Sequence, residues 1–316
     1  MRTIAVIGAG IMGHGLALVF ALGGHRVRIT DASAETLARV PELLASAVAT
    51  LQEAGEVDGS WTPARIDEAI ARSADLEQTV DGAEIVIEAI TERPDAKRAL
   101  YAELDRLLPD TAIVASNTSY LDVFPLIPAR RQRRALIAHW YTPPYIVDLV
   151  DIVPGPQTDP AVIEEMRALM EGMGQKPIVL KRFVSGYVAN RIQSAISAEV
   201  FRLLDEEVAS PREIDDAIIH GLSLRIPILG HLAKADFTGL ELVRNALANK
   251  TYEPPPVRER SEIVDKLVDS GATGVMAGRG FFDWGGRPAA ELFRDRDRRL
   301  LALKRAMRDI GPLTGS

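Results

Sequence analysis

Residues 2–31, RTIAVIGAGIMGHGLALVFALGGHRVRITD, leave the chain little freedom in how it can begin to fold. Residues 4–7 form a continuous apolar run of the kind carried by a strand buried on both faces. Gly8, Gly10 and Gly13 follow in G-x-G-x-x-G spacing, and residues 16–22 read as a helix that ends at Gly23 and Gly24. Each glycine has its own reason. Gly8 makes a tight turn, Gly10 lets backbone approach a pyrophosphate, and Gly13 lets the helix pack closely on the strand. With Ile11 and Met12 they complete a loop that aims the helix N-terminus at a phosphate. A second strand over 26–30 ends in Asp31, where a carboxylate can bind both hydroxyls of a ribose. The same carboxylate repels a 2′-phosphate, and the following Ala32 and Ser33 offer no arginine to hold one. NAD is therefore the expected cofactor, in preference to NADP. Strand, glycines, helix and acid in this order outweigh a bare strand-turn-helix that binds nothing. His14 either approaches the phosphates or is an ordinary residue of the helix's first turn.

The alternation continues. Helical spacing over 34–55 and 63–72, with a loop around residues 55–60, is followed by strands over 83–90, 111–117, 134–140, 146–153 and 176–180, with helices over 94–108 and 160–172. This is the pattern of an α/β, Rossmann-type doubly wound sheet, which we expect over residues 1–183. From Ser185 onward the pattern changes. Residues 186–208, 211–220, 230–249, 258–269 and 288–310 have helical spacing with no convincing strand between them, so residues 184–316 are expected to form an all-helical substrate and dimerisation domain. HGLSLRIPILG (220–230) and YEPPPV (252–257) are expected to be loops. The apolar face of YVANRIQSAISAEVFRLL implies either a homodimer through this half or a central core helix.

Composition excludes several partners. The net charge is −7, and 37 Lys and Arg are scattered among 44 Asp and Glu, which prepares no surface for a phosphate backbone, so no nucleic acid is expected. There is no cysteine, hence neither a disulfide framework nor a thiolate metal site, and no metal is expected. No apolar run approaches the roughly 20 residues of a membrane helix. A cytoplasmic protein that does not meet the membrane is the expectation.

ALIAHWYTPPYIVDLVDIVPG, residues 135–155, holds one of five histidines among strand formers, with Asp148 and Asp151 beyond it. His139 is either a packed core residue or a proton carrier. Alternation along a regular strand would send Asp148 and Asp151 to opposite faces, so only one of them can be its partner. Tyr141 and Tyr145 flank the histidine and could shape a small polar pocket.

The motifs IGAGIMGHG, VIEAITERPDAK, ASNTS, HWYTPP followed by LVDIV, VSGYVANRI, GLSLRIPILGHLAKADFTGL and GRGFFDW resemble, in order and spacing, the 3-hydroxyacyl-CoA dehydrogenase family, which includes related L-gulonate and carnitine dehydrogenases. The resemblance runs nearly the whole chain. It implies a Rossmann-type domain followed by a helical dimerisation domain, and a catalytic histidine and glutamate on neighbouring strands. His139 matches the histidine. The glutamate position falls on Asp151, one methylene shorter. The resemblance further assigns Ser119 and Asn190 to hydrogen bonds with the substrate oxygen, and Glu92 and Lys97 to the nicotinamide ribose and amide. Thr142 stands where the family usually has asparagine. Alternative roles remain for these residues: Ser119 could cap a following helix, and Glu92 with Lys97 could be a solvated surface pair.

Family members that bind CoA carry lysines in the helical hairpin after the second strand and before the last glycine-aromatic motif. Here those segments read LQEAGEVDGSWTPARIDEA and GVMAGRG, with Arg65 the one obvious cation in the hairpin. Arg225 stands where acyl-CoA members are uncharged, and a guanidinium there could grip a free carboxylate through paired hydrogen bonds or simply pair with Glu213 or Asp216. The expected reaction is NAD-dependent oxidation of a 3-hydroxy group, or reduction of the ketone, on a CoA thioester or a small free acid. Two alternatives are a 6-phosphogluconate-type β-hydroxyacid dehydrogenase, whose lysine base SGYVANRI lacks, and a non-catalytic NAD-sensing scaffold.

Overall fold

The continuous apolar runs become the central strands of one sheet, covered on both faces. The computed structural model describes residues 1–256, 260–311 and 313. The chain divides into two units, Met1–Ala189 and Asn190–Ser316. In the first, β1 (Thr3–Ile7), β2 (Arg26–Thr30), β3 (Ile70–Arg72), β4 (Ile85–Glu88), β5 (Ile113–Ser116), β6 (Ala135–Trp140), β7 (Leu149–Pro154) and β8 (Lys176–Val179) pair in the order β3-β2-β1-β4-β5-β6-β7-β8. Every pairing is parallel except that of β6 with β7. The strand order reverses between β1 and β4, which opens a crevice at their carboxyl ends, the place where doubly wound sheets bind ligands.

Helices α1 (Gly13–Leu22), α2 (Ala34–Glu53), α3 (Pro63–Ala69), α4 (Leu76–Val80), α5 (Pro94–Leu107) and α6 (Pro160–Gly172) cover the sheet. Their starts follow the local sequence. Ser33 accepts a hydrogen bond from Thr36 N at the head of α2, and Asp159 does the same for Ala161 N at α6. Tyr101 and Leu104 of α5 pack with Val86 and Val114 of the sheet in one buried cluster.

Two local expectations are corrected. The helix expected over 63–72 stops at Ala69, and Ile70–Arg72 joins the sheet edge beside β2. Strand β7 begins at Leu149, so Asp148 lies ahead of it and alternation along the strand does not decide its facing.

The second unit is helical, with α7 (Ala189–Asp205), α8 (Pro211–Asp216), a π-helical stretch (Ala217–Ser223), α9 (Ile226–Thr238), α10 (Leu240–Ala248), α11 (Glu262–Asp269) and α12 (Ala289–Ile310). Isolated bridges at Gly274–Arg279 and Arg279–Asp283 are its only β pairing among the described residues. The loop expected over 220–230 is instead largely helical, because Pro227 falls in the first turn of α9, where a missing N–H costs nothing. The helix expected over 230–249 is broken at Gly239, whose φ of 97° a residue with a side chain would resist. The helix expected from 258 has its start at residues outside the described ones. Among the described residues of this unit only Leu204, Ile214, Ala272 and Leu301 are buried apolar side chains, while Leu224, Leu232, Phe237 and Leu247 are largely exposed. No described helix of either unit is long and apolar enough to cross a membrane.

Candidate active site

The loop after β1 is built by steric necessity at two glycines and by none within the chain at the third. Gly8 has φ 98°, and a Cβ there would lie 2.5 Å from the carbonyl oxygen of Ala89. At Gly13 a Cβ would fall 1.7 Å from the Gly8 carbonyl oxygen, a contact no substitution could relieve. At Gly10 nothing lies within 4 Å of the added carbon. Its open space is what a backbone needs in order to meet a pyrophosphate. Helix α1 begins beside it with no side-chain cap and no acid in its first turn, leaving N–H groups for an anion.

Asp31, just past β2, ties this loop down. Its Oδ2 accepts from Ala9 N at 2.7 Å and its Oδ1 from Ser33 N at 2.8 Å. His14 Nδ1 lies 2.7 Å from the Gly10 carbonyl oxygen; burial depresses the His14 pKa despite that bond, favouring the neutral ring. Thr142 Oγ1 donates to the Met12 sulfur at 3.1 Å, joining the segment after β6 to the glycine loop. Ile11 is exposed on that loop. These residues fit a dinucleotide.

The second cluster forms where β5, β6 and β7 meet. His139 and Asp151 are direct partners in the antiparallel register of β6 and β7. Opposed residues of such a pair carry side chains on one face, with Cβ atoms about 4.5–5.5 Å apart. That closeness brings the short aspartate side chain within reach of the ring: His139 Nδ1 lies 3.2 Å from Asp151 Oδ2. On the other side of the ring, Nε2 lies 3.1 Å from Ser119 Oγ. Both His139 and Asp151 are buried. A carboxylate at Nδ1 favours the tautomer with its proton there, leaving Nε2 as the acceptor facing Ser119. Two features of this cluster escape sequence reasoning. Tyr141, just past the end of β6, donates its hydroxyl to Asp151 Oδ2 at 2.6 Å. Tyr187 sets its ring 5.0 Å from that of His139 and donates to the Thr118 carbonyl at 2.6 Å.

Ser119 caps no helix. Its backbone N–H donates to Glu92 Oε1 at 3.0 Å, and that oxygen also takes Tyr120 N at 3.3 Å and the Thr118 hydroxyl. Burial works to raise the Glu92 pKa, but the Thr118 bond and the Lys97 charge outweigh it, and the carboxyl sits below its ordinary value.

Lys97 is not on a solvated surface, as one reading of the Glu92 spacing would have it. It is 1% exposed, with Nζ 2.5 Å from Glu88 Oε1 and 3.3 Å from Glu92 Oε2. Glu88, at the end of β4, fills its remaining capacity with Ile90 N at 2.9 Å, Tyr101 OH at 2.7 Å and Ser116 Oγ at 2.6 Å. The buried charge is thus paired and fully hydrogen-bonded, as burial demands. A signal was there to be read: IVIE places a carboxylate in an otherwise apolar strand.

Asn190 begins the second unit within α7, and Arg225 stands at the head of α9. Arg225 is exposed; its Nε donates to the Gly221 carbonyl at 3.0 Å, and no described acid pairs with it. Glu213, one proposed partner, is committed to Ser210 in a capping box.

Comparison with known proteins agrees with both units. Residues 3–183 match the family described as 3-hydroxyacyl-CoA dehydrogenase, NAD binding domain, and residues 186–284 match its C-terminal domain. The lambda-crystallin homolog of Mus musculus is 32% identical over 230 residues, 72% of either chain. L-carnitine dehydrogenase of Nocardiopsis dassonvillei is 30% identical over 320 residues, covering 98% of this chain and 93% of the relative. The crystal structure of 5-formyl-3-hydroxy-2-methylpyridine 4-carboxylic acid 5-dehydrogenase, described as an NAD+-dependent dismutase, matches with a TM-score of 0.87 at 27% identity, over 98% of this chain and 99% of that one.

Proposed function

The chain belongs to the 3-hydroxyacyl-CoA dehydrogenase family and is an NAD-dependent oxidoreductase acting on CH–OH groups; from that premise we propose that its substrate is a small free hydroxy acid and that His139 is the base. The observation that carries the chemistry is the chain of contacts Ser119–His139–Asp151. In oxidation, the substrate hydroxyl takes the place of a donor to His139 Nε2 and gives it the proton as the carbinol C–H bond breaks. Asp151 holds the ring and offsets the imidazolium charge. Ser119 hydrogen-bonds the substrate oxygen, with its backbone held by Glu92, and Asn190 is a further donor to the substrate. NAD, when bound, accepts the hydride. Gly8, Gly10, Ile11, Met12 and Gly13 receive its pyrophosphate, Asp31 its ribose, and Thr142 and Glu92 its nicotinamide end, with Lys97 acting beneath Glu92. We assign cofactor binding to residues 1–183 and substrate recognition to 184–316.

Two observations favour a free acid over a thioester. The hairpin lacks the lysines of a CoA cradle, and Arg225 has a guanidinium uncommitted to any described acid. The relatives named for L-carnitine and a pyridine carboxylate are similar over nearly the whole chain. The helical unit, with four buried apolar side chains among its described residues, pairs with that of a second copy, which would cover apolar surface that otherwise faces water. NAD reduction measured across matched free 3-hydroxy acids and their CoA thioesters tests the substrate. Free acids should turn over faster; uniform preference for thioesters would reject the free-acid assignment while leaving the dehydrogenase intact.

A further inference from the structure

We propose that Tyr141 is a positioning residue of the catalytic pair: by donating to the same Asp151 oxygen that faces His139, it fixes the short carboxylate and tempers its pull on the imidazole. This rests on the reading of His139 as the base.

Asp151 Oδ2 receives Tyr141 OH at 2.6 Å and faces His139 Nδ1 at 3.2 Å, while Oδ1 is buried with no hydrogen-bond partner. A buried acceptor left unpaired is costly. An unrestrained carboxylate would therefore turn to share its donors between both oxygens. The phenol opposes that turn and keeps both donors on one atom. Its bond is also the shorter, so it takes the larger part of the carboxylate's charge. The Tyr141 ring meets the His139 ring edge-on at 4.7 Å, which limits movement of either.

The other groups around the imidazole do not duplicate this role. Ser119 meets Nε2 on the opposite side. Tyr187 presents its ring to His139 and commits its hydroxyl to the Thr118 carbonyl. Glu92, with Lys97 behind it, holds the backbone of Ser119, and Asp122 accepts from Phe124 N. Among the described residues only Tyr141 and His139 are side-chain partners of Asp151.

Loss of the phenol in Tyr141→Phe restores the full carboxylate charge to the imidazolium and so holds the ring proton more firmly. The test is NMR titration of ring carbons in histidine-labelled protein without substrate, with His139 assigned by its absence in His139→Gln. Compared with the parent, Tyr141→Phe should move the midpoint of the His139 ring upward by about 0.5–1 pH unit, and NADH affinity should stay within about twofold. In an Asp151→Asn background the same substitution should move it by less than about 0.2 unit, because the effect runs through the carboxylate. No movement or a downward movement in the first comparison, or equal movement in both, overturns the proposal. Because the imidazole is read directly, a wrong substrate assignment cannot mimic failure. If Tyr141→Phe behaves as expected but His139→Gln retains near-normal turnover, it is the assignment of the base that falls.

Discussion

His139 and Asp151 sit directly opposite one another across the single antiparallel pairing of the sheet, Nδ1 to Oδ2 at 3.2 Å. The parallel strands end at the rim where ligands bind, and β7, running the other way, starts there. An acid three residues into β7 thereby reaches the same rim as a histidine next to the end of β6. His139→Gln should lower turnover by about 10²–10⁴-fold, the usual contribution of a general base, with NADH binding retained by fluorescence titration. Asp151→Asn should cost less, since the base would remain in place with its orientation loosened. Near-normal turnover in His139→Gln would return His139 to the role of a core residue.

Gly10 and Gly13 should separate cofactor binding from stability. Gly13→Ala forces a carbon into the Gly8 carbonyl, and thermal unfolding should register a loss of several degrees even without cofactor. Gly10→Ala meets nothing in the protein, so its melting temperature should match the parent while NAD affinity falls at least tenfold. Equal NAD affinity would mean that the pyrophosphate does not pass Gly10.

The carboxyl of Glu92 has its folded-state pKa below the unfolded value because Thr118 and Lys97 favour its charged form over the opposing effect of burial. Its stabilising contribution is full above the unfolded value, about 4.3, and disappears as pH falls through the lower folded value. The difference in melting temperature between the parent and Glu92→Gln should therefore be constant near neutrality and shrink below about pH 4. Lys97→Met should be more damaging, by about 3–5 kcal/mol in denaturant unfolding, because it strands the buried Glu88 carboxylate. A Lys97→Met protein as stable as the parent would mean that Glu88 becomes neutral at little cost.

Arg225→Met should weaken a free hydroxy acid by roughly 10- to 100-fold in KM, the worth of a hydrogen-bonded charge. NADH binding should not change. If thioester and free-acid kinetics are affected alike, Arg225 does not read a carboxylate.

The helical unit's exposed leucines and Phe237 should be covered in solution. Sedimentation should give twice the 34.4 kDa chain mass, and the Leu232→Asp, Phe237→Asp double substitution should shift the protein toward monomer or aggregate. A monomeric parent at micromolar concentration would remove the homodimer.

Some of this was legible in the chain because it is local. The glycine loop is encoded in consecutive residues whose backbone needs can be read directly, and three of the eight strands, β1, β5 and β6, carry unbroken apolar runs of four residues. The pairing of His139 with Asp151 was expected from family resemblance alone, and their direct opposition in an antiparallel register, which brings the shorter carboxylate to the ring, depends on strand pairing. β3 was lost because only Ile70 of its three residues is buried, too little pattern to separate it from the end of a helix. The alternative of a solvated Glu92–Lys97 pair could not be dismissed from the chain alone, because the Glu88 that neutralises Lys97 lies on a different element and only tertiary packing shows that the ammonium is enclosed. The segment over 220–230 looked like a loop because Gly221, Pro227 and Gly230 punctuate it; Gly221 and Pro227 are accommodated in helical backbone, and only Gly230, at φ 65°, interrupts the helix.

The antiparallel hairpin of β6 and β7 also separates two kinds of inheritance. The mutual facing of His139 and Asp151 is fixed by strand register, which burial on both sides of the sheet makes hard to shift. The segment over residues 143–148 that joins the strands is under no such rule. It is anchored instead by packing, with Pro143, Pro144 and Ile146 buried and Pro144 against Gly15 of α1, so the positions open to exchange without disturbing the register of His139 and Asp151 are the less buried ones beside them, Tyr145, Val147 and Asp148.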